Sequence, residues 1–411
     1  MADAIRFLHG SDFHLDCPIS GLAEIPSHIK STLANAPYEA AENFFDTAIA
    51  EAVDFVLLSG DIANLDRGGP RAAAFLLNQF ERLDAKDIDV YWCAGDTDQP
   101  DRWPTSIELP DNVTTFCGSV VERVPVQRKG RTIATIFGCG YEGKKRVPGE
   151  FRPEDGDVFP IALAYGQLED NNLAIHKVRY WAMGGKHKRS VIDKSTAVAV
   201  YPGTIQSRKP NESGSHSCTL CRVDLQGNLQ LTAFDIDRVR WVQQSLAVAE
   251  TINTNDLQDL AVDRAQKIAA ESPKQLVLVN WVLNPTGEFN TGLHSEAFHA
   301  EFLNFLRTEL GQDGSQGVWT ANLEVKSPNA LPHSWYEEDT ILGDYLRSVA
   351  RYNGDDSIPL GLQELIPANI DEDSLAGIAR VSKFERERIL SEAALVGVEY
   401  LCSHDSSDNE D

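Results

Sequence analysis

The 411-residue chain reads as an α/β protein with two layers of sheet, a smaller α+β domain and a helical tail. Three observations give that class. Residues 55–58 are an unbroken apolar run, Phe-Val-Leu-Leu, suited to a strand buried on both faces. From Ile5 to Ala94, strand and helix patterns alternate as βαβαβ. Between residues 132 and 231, strand patterns follow one another with turns between them, which calls for a second sheet layer facing the first.

Taken in order, Ile5 to His9 forms the first strand and opens into Gly10-Ser11-Asp12-Phe13-His14. After a loop with Pro18 and Pro26, apolar residues at helical spacing predict a helix from about Pro37 to Ala52. The Asp54 strand follows and ends in Ser59-Gly60-Asp61, where Gly60 permits a sharp turn or a close approach. A helix over about Gly69 to Asp84 leads to the strand Val90 to Ala94, which ends in Gly95-Asp96-Thr97-Asp98. The second layer takes strands at Thr132–Phe137, Pro160–Tyr165, Arg179–Met183 and Thr196–Tyr201, and a hairpin over Ser217–Leu231 through Gly227-Asn228. Beyond about residue 240, helices at Asp256–Ala270 and Ser295–Leu310 alternate with strands at Gln275–Leu283 and Val318–Val325. Amphipathic helices then cover Asp339–Arg351 and Asp371–Val396. The expected organisation is residues 1–241 as the first domain, 242–335 as the small α+β domain, 336–402 as a helical region and 403–411 as an acidic disordered tail.

Composition narrows the function. No apolar run approaches ~18 residues, so no membrane span is expected. The chain enters a strand at once, and its seven cysteines are scattered, which together suit a reducing cytoplasm. A formal charge of −25 weighs against tight binding of nucleic acid, whose phosphates call for a basic footprint.

Three strand ends each deliver polar residues: Asp12 with His14, then Asp61, then Asp96 with Asp98. At the carboxyl ends of neighbouring strands, where open α/β sheets bind ligands, these groups can converge. Carboxylate oxygens with imidazole nitrogen suit Mn, Fe or Zn. A central carboxylate can bridge two ions that activate water for attack on phosphorus. Each piece also has an ordinary structural role: Asp12 as turn former, His14 as a packed histidine, Asp61 as a helix cap.

Gly10-Ser11-Asp12-Phe13-His14-Leu15-Asp16-Cys17-Pro18, with Gly21-Leu22 and then Leu58-Ser59-Gly60-Asp61, resembles the calcineurin-like metallophosphoesterases. Within these it is similar to the DNA repair exonucleases of the SbcD and YhaO-like type. Tyr180-Trp181-Ala182-Met183-Gly184, Tyr201-Pro202-Gly203-Thr204-Ile205-Gln206 and Asn211-Glu212-Ser213-Gly214 continue the resemblance to about residue 241. It implies a two-layer β-sandwich flanked by helices, with two metal ions, usually manganese, at the strand ends. It assigns Asp12 and His14 to the first metal, makes Asp61 the bridging aspartate and aligns His187 with the second histidine of Gly-His-x-His. Elsewhere the chain departs from the pattern. Asp96 replaces a ligand asparagine, Thr97 stands at the catalytic histidine, Tyr165 at a ligand histidine and Gly185 at the first histidine of Gly-His-x-His.

The resemblance therefore implies one divalent ion, manganese first with iron or zinc possible, beside a degenerate second site. Lys186, Lys188 and Arg189 are candidates for phosphate contact, and Lys144, Lys145 and Arg146 form a second basic cluster. Arg208 and Lys209 are candidates for a basic rim. Three functions follow from the resemblance: an impaired exonuclease homologue acting as a scaffold, an active manganese-dependent exonuclease, or a small-molecule phosphoesterase. A coiled-coil ATPase is the partner that the family implies, with DNA as a weaker candidate.

Overall fold

The computed structural model describes residues 5–403, except residues 16, 100–102, 104–107, 142, 144–146, 148–150, 169–172, 174–176, 195, 250–251, 287–292, 294, 312–316, 327–330, 356 and 362–381. Side chains of residues 65–69, 296, 384, 399, 402 and 403 are also outside the description. The basic run 144–146 and the tail 404–411 thus fall outside the described residues. The chain divides into two compact units: residues 1–243 with 266–280 and 311–321, and residues 244–265 with 281–310 and 322–411.

In the first unit, β1 (Ile5–Gly10), β2 (Phe55–Ser59), β3 (Asp89–Cys93) and β4 (Val113–Phe116) lie side by side and parallel. The second sheet takes β5 (Glu122–Arg128), β6 (Arg131–Gly138), β7 (Pro160–Tyr165), β8 (Tyr180–Gly184), β9 (Ser190–Asp193) and β10 (Val198–Tyr201), in the order β5-β6-β7-β8-β10-β9. The hairpin strands β11 (Ser217–Val223) and β12 (Leu229–Asp235) return to the first sheet, where β11 runs antiparallel to β1 and completes the order β12-β11-β1-β2-β3-β4. The α/β sandwich read from the sequence is the fold.

Strand alternation explains the layers. Phe7, Phe55, Leu57 and Tyr91 point from the first sheet into a core shared with Ile136, Leu163, Tyr180 and Ala182 of the second. Phe7 stacks on Phe55 at 5.0 Å and meets the edge of Tyr180 at 5.1 Å. The alternate residues Leu8, Val56, Leu58, Val90 and Trp92 face outward onto α1 (Ser27–Ala50) and α2 (Leu65–Asp84), where Phe44, Phe45, Leu76 and Phe80 cover them.

α1 starts ten residues before the predicted Pro37. Proline inside a helix costs about 3 kcal/mol. Against that, Ile29, Leu33, Ala36, Ala40, Phe44 and Ala48 make a continuous buried stripe at helical spacing. The stripe wins. Strands β4, β5 and β9 escape the sequence reading because each is a sheet edge. Edge strands carry charge and proline rather than apolar runs, as in Glu-Arg-Val-Pro-Val-Gln-Arg of β5.

Later elements are β13 (Val239–Ala249), α3 (Thr254–Glu271), β14 (Leu276–Thr286), α4 (Glu296–Leu310), β15 (Gly317–Val325), α5 (His333–Glu337), α6 (Ile341–Gly354) and α7 (Lys383–Ser403). The strands form a sheet of order β13-β14-β15. In the second unit Leu346 of α6 packs with Ala394 and Val398 of α7, and the Tyr345 hydroxyl donates to the Ala393 carbonyl at 2.6 Å. Among the described residues, no helix is long and apolar enough to cross a membrane.

Candidate metal centre

The carboxyl ends of β1, β2 and β3 are adjacent because their strands are adjacent and parallel. Three residues there hold left-handed backbone that non-glycine residues seldom adopt: Asp12 at φ 53°, His14 at φ 47° and Asp61 at φ 54°. Each such residue costs on the order of 1 kcal/mol or more and persists only where neighbours over-determine it. Here the amides of Asp12 and His14 donate to the carbonyls of Gly60 and Asp61, both at 3.0 Å. The loops after β1 and β2 are thereby laced together.

Asp98 supplies the other clamp. Its Oδ1 accepts from the amides of Asp61 at 2.8 Å and Gly95 at 2.7 Å. Its Oδ2 accepts from the Ile62 amide at 2.9 Å and the Trp92 indole at 2.8 Å. Burial raises its carboxyl to about 7, with the Asp61 charge adding to the rise against those donors. Asp98 is therefore a fully buried scaffold residue. The alternation in Gly95-Asp96-Thr97-Asp98 suggests two equivalent acids; only the fold shows that one faces inward to backbone donors and the other, Asp96, is exposed.

Asp12, His14 and His187 each offer a ligand atom, and these atoms lie within 4.8 Å of one another. Asp61 Oδ2 is 3.8 Å from His14 Nε2. Asp12 Oδ1 and His14 Nε2 are buried without a hydrogen-bond partner, and a cation would satisfy both. Burial raises the Asp12 carboxyl to about 6, opposed by the Ser11 hydroxyl, and the Asp61 charge raises it further. Burial and the Arg208 guanidinium lower the His14 imidazole to about 4, so it is neutral at pH 7, as a metal-binding histidine must be. The donor set fits a divalent ion.

Behind His187 stands Glu212, whose Oε1 is 2.9 Å from Nδ1. A carboxylate on Nδ1 holds that nitrogen as the donor and leaves Nε2 as the lone pair. Burial would raise Glu212, but hydrogen bonds from His187 and the Arg208 amide hold it at about 2. Arg208 is not an exposed rim residue. It is buried, and its Nη2 lies 3.2 Å and 3.4 Å from the two His187 ring nitrogens.

Tyr165, Thr97 and Gly185, which the resemblance sets apart, pack around Asp61 and Asp12. Tyr165, at the end of β7, donates its hydroxyl to Asp61 Oδ2 at 2.6 Å. Burial and the charges of Asp61 and Asp12 push that phenol well above its ordinary range. The Tyr165 ring packs against Tyr141 at 5.2 Å. A Cβ at Gly185 would meet its Cζ at 3.1 Å, and one at Gly60 would meet its Cδ2 at 2.6 Å. Thr97 donates its amide at 2.9 Å and its hydroxyl at 3.1 Å to Asp61 Oδ1. Gly185 donates its amide to Asp12 Oδ2 at 3.1 Å.

Of the three basic candidates, Lys186 lies 4.0 Å over the Tyr201 ring and Arg189 donates to the Thr219 hydroxyl. Lys188 is exposed.

Two facing sheets carry an acid–imidazole cluster at their strand ends. Residues 5–185 match the model of the calcineurin-like phosphoesterase family. More particularly, the chain is similar to YhaO, an uncharacterised metallophosphoesterase of Bacillus subtilis (strain 168). The two are 28% identical over 352 residues, covering 80% of this chain and 83% of that protein. Among solved structures it is similar to a dimetal phosphatase from Danio rerio, with TM-score 0.36, 11% identity, and coverage of 57% of this chain and 99% of that one. It is also similar to vacuolar protein sorting 29 from Cryptosporidium parvum, with TM-score 0.27, 18% identity, and coverage of 57% of this chain and 100% of that one.

Proposed function

We propose that this protein is a DNA repair exonuclease homologue that binds one divalent ion, manganese in first place, and is impaired in phosphodiester hydrolysis. Asp12, His14, His187 and Asp61 would hold the ion; iron or zinc suits the same donors. When bound, such an ion supplies Lewis acidity, polarising a phosphoryl oxygen and lowering the pKa of water. The observation that carries the reading is the Tyr165 hydroxyl on Asp61 Oδ2 at 2.6 Å.

A carboxylate has about four lone-pair sites. Thr97 fills two on Oδ1 and Tyr165 one on Oδ2, leaving one for a single ion. A bridging role between two ions is thereby spent on the protein's own donors. The ring of Tyr165 takes the space against Gly185 where an imidazole would need to stand. Thr97 is too short, and its proton too weakly acidic, to replace a positioned acid, whose loss typically costs ~10²–10⁴ in rate. Asp96 adds negative charge at the mouth without joining the ligand group. On the resemblance the reading also takes a coiled-coil ATPase as partner, and on the scattered cysteines it takes the cytoplasm as location.

The test is manganese-dependent cleavage of linear DNA and of a chromogenic phosphodiester. The native protein should bind manganese and turn over slowly on both. Replacing Thr97→His, Tyr165→His and Gly185→His together should raise the rate by ~10²-fold or more. Robust DNA cleavage by the native chain, abolished by Asp61→Ala, would overturn the impaired reading.

A further inference from the structure

Arg208 lies beside the ion-binding group, and one of its side-chain donors is not used there. It is 7% exposed, and its backbone is committed: the carbonyl accepts from the Ser20 amide at 2.8 Å and the amide donates to Glu212 Oε2 at 2.8 Å. The guanidinium turns toward the metal centre. Nη2 lies 3.2 Å from His187 Nδ1 and 3.4 Å from Nε2, shared between the two ring nitrogens. The same Nη2 is 3.4 Å from Glu212 Oε1, a long contact for a charge-assisted bond. Nε is buried and finds no acceptor.

A buried cationic donor left idle is costly, and each such case asks for an explanation. Its partner carboxylate is already shared, because Glu212 Oε1 takes the His187 ring nitrogen at 2.9 Å and Oε2 takes the backbone amide of Arg208. Among the described residues the guanidinium thus has a single long ion pair, to Glu212 Oε1 at 3.4 Å, and its Nε donor has no acceptor. Guanidinium is the side chain best matched to a tetrahedral oxyanion, to which it can present two parallel N–H groups. The other basic residues of this loop are occupied by Tyr201 and Thr219 or exposed.

We propose that Arg208 is the anion-binding half of a mixed site, in which a phosphate group lies between the guanidinium and the ion held by Asp12, His14 and His187. Arginine then supplies the positive charge that Tyr165 denies to a second ion. The site receives phosphate esters through their phosphate, whether or not it cleaves them. The inference rests on the ion binding proposed above.

Calorimetry on the full chain separates the two. Manganese is titrated into the protein first, and inorganic phosphate into the manganese-loaded protein second. In Arg208→Gln, phosphate affinity falls at least ~10-fold while manganese affinity rises by roughly 3-fold or more, because a like charge has left the site. Arg208→Lys keeps the charge but not the fork and retains part of the phosphate affinity. A residue that merely props the loop would move both affinities down together. That result would overturn the assignment, as would phosphate affinity unchanged in Arg208→Gln or no phosphate binding by the native protein. If the native chain binds no manganese, the ion reading itself fails and the mixed site goes with it. Manganese binding with phosphate affinity independent of Arg208 removes only the mixed site.

Discussion

Replacing Asp98 tests how the strained ends of β1 and β2 are held. Asp98→Ala strands four buried donors: the amides of Asp61, Ile62 and Gly95 and the Trp92 indole. Each unpaired buried donor costs ~1–3 kcal/mol, so the gross loss is ~4–12 kcal/mol. Removing a fully buried carboxylate returns several kcal/mol of desolvation. The net expectation is ~3–5 kcal/mol, a large part of a stability of ~5–15 kcal/mol. Asp98→Asn keeps one oxygen for two donors but turns its amino group toward the other two, so it should cost ~2 kcal/mol. Urea unfolding followed by tryptophan fluorescence reads both. Manganese affinity should fall alongside, because Asp61 at φ 54° loses the acceptor that pins its amide. A loss below ~1 kcal/mol for Asp98→Ala would refute the reasoning, since the four donors would then have found other acceptors.

Two further outcomes are expected. Gly185→Ala should cost ~1–2 kcal/mol in urea unfolding, partly from φ +91° and partly from a Cβ at 3.1 Å from the Tyr165 ring. The contact share, not the backbone share, should disappear in a Tyr165→Ser background; equal costs in both would remove Tyr165 from the explanation. His9, buried between Tyr180 and Ser59 at 2.8 Å each, has its imidazole lowered by burial, and further by Arg189, from 6.5 to about 3. Below pH 6.5 the unfolded chain binds a proton that the folded one does not, so stability falls by ~1.4 kcal/mol per pH unit until about pH 3. In His9→Gln the acid-side slope of stability against pH should shrink by about one proton. An unchanged slope would mean that His9 is protonated in the folded protein.

Much of the fold is legible because its central strands carry their own signal. Phe55 to Leu58 and Ile161 to Ala164 are buried on both faces and need apolar residues throughout. The edge strands β4, β5 and β9 are not legible, since an edge has one neighbour and tolerates charge. Pro37 misleads for another reason: local propensity reads it as a start, while a buried stripe on both sides of it carries α1 through.

The candidate site divides the same way. Asp12, His14 and Asp61 are visible in the sequence as polar side chains at strand ends, while His187, and Tyr165, Thr97 and Gly185 as departures, are picked out by the resemblance alone. Their consequence is not. That the Tyr165 hydroxyl engages Asp61 across 104 residues of chain, that Asp98 faces four donors, and that Arg208 lies buried against His187 depend on which way side chains turn after the two sheets close. Sequence alone determines which donors and which substitutions the chain carries. Packing decides which lone pairs those donors leave free, because a hydrogen bond is set by distance and direction between groups that only the tertiary fold brings together.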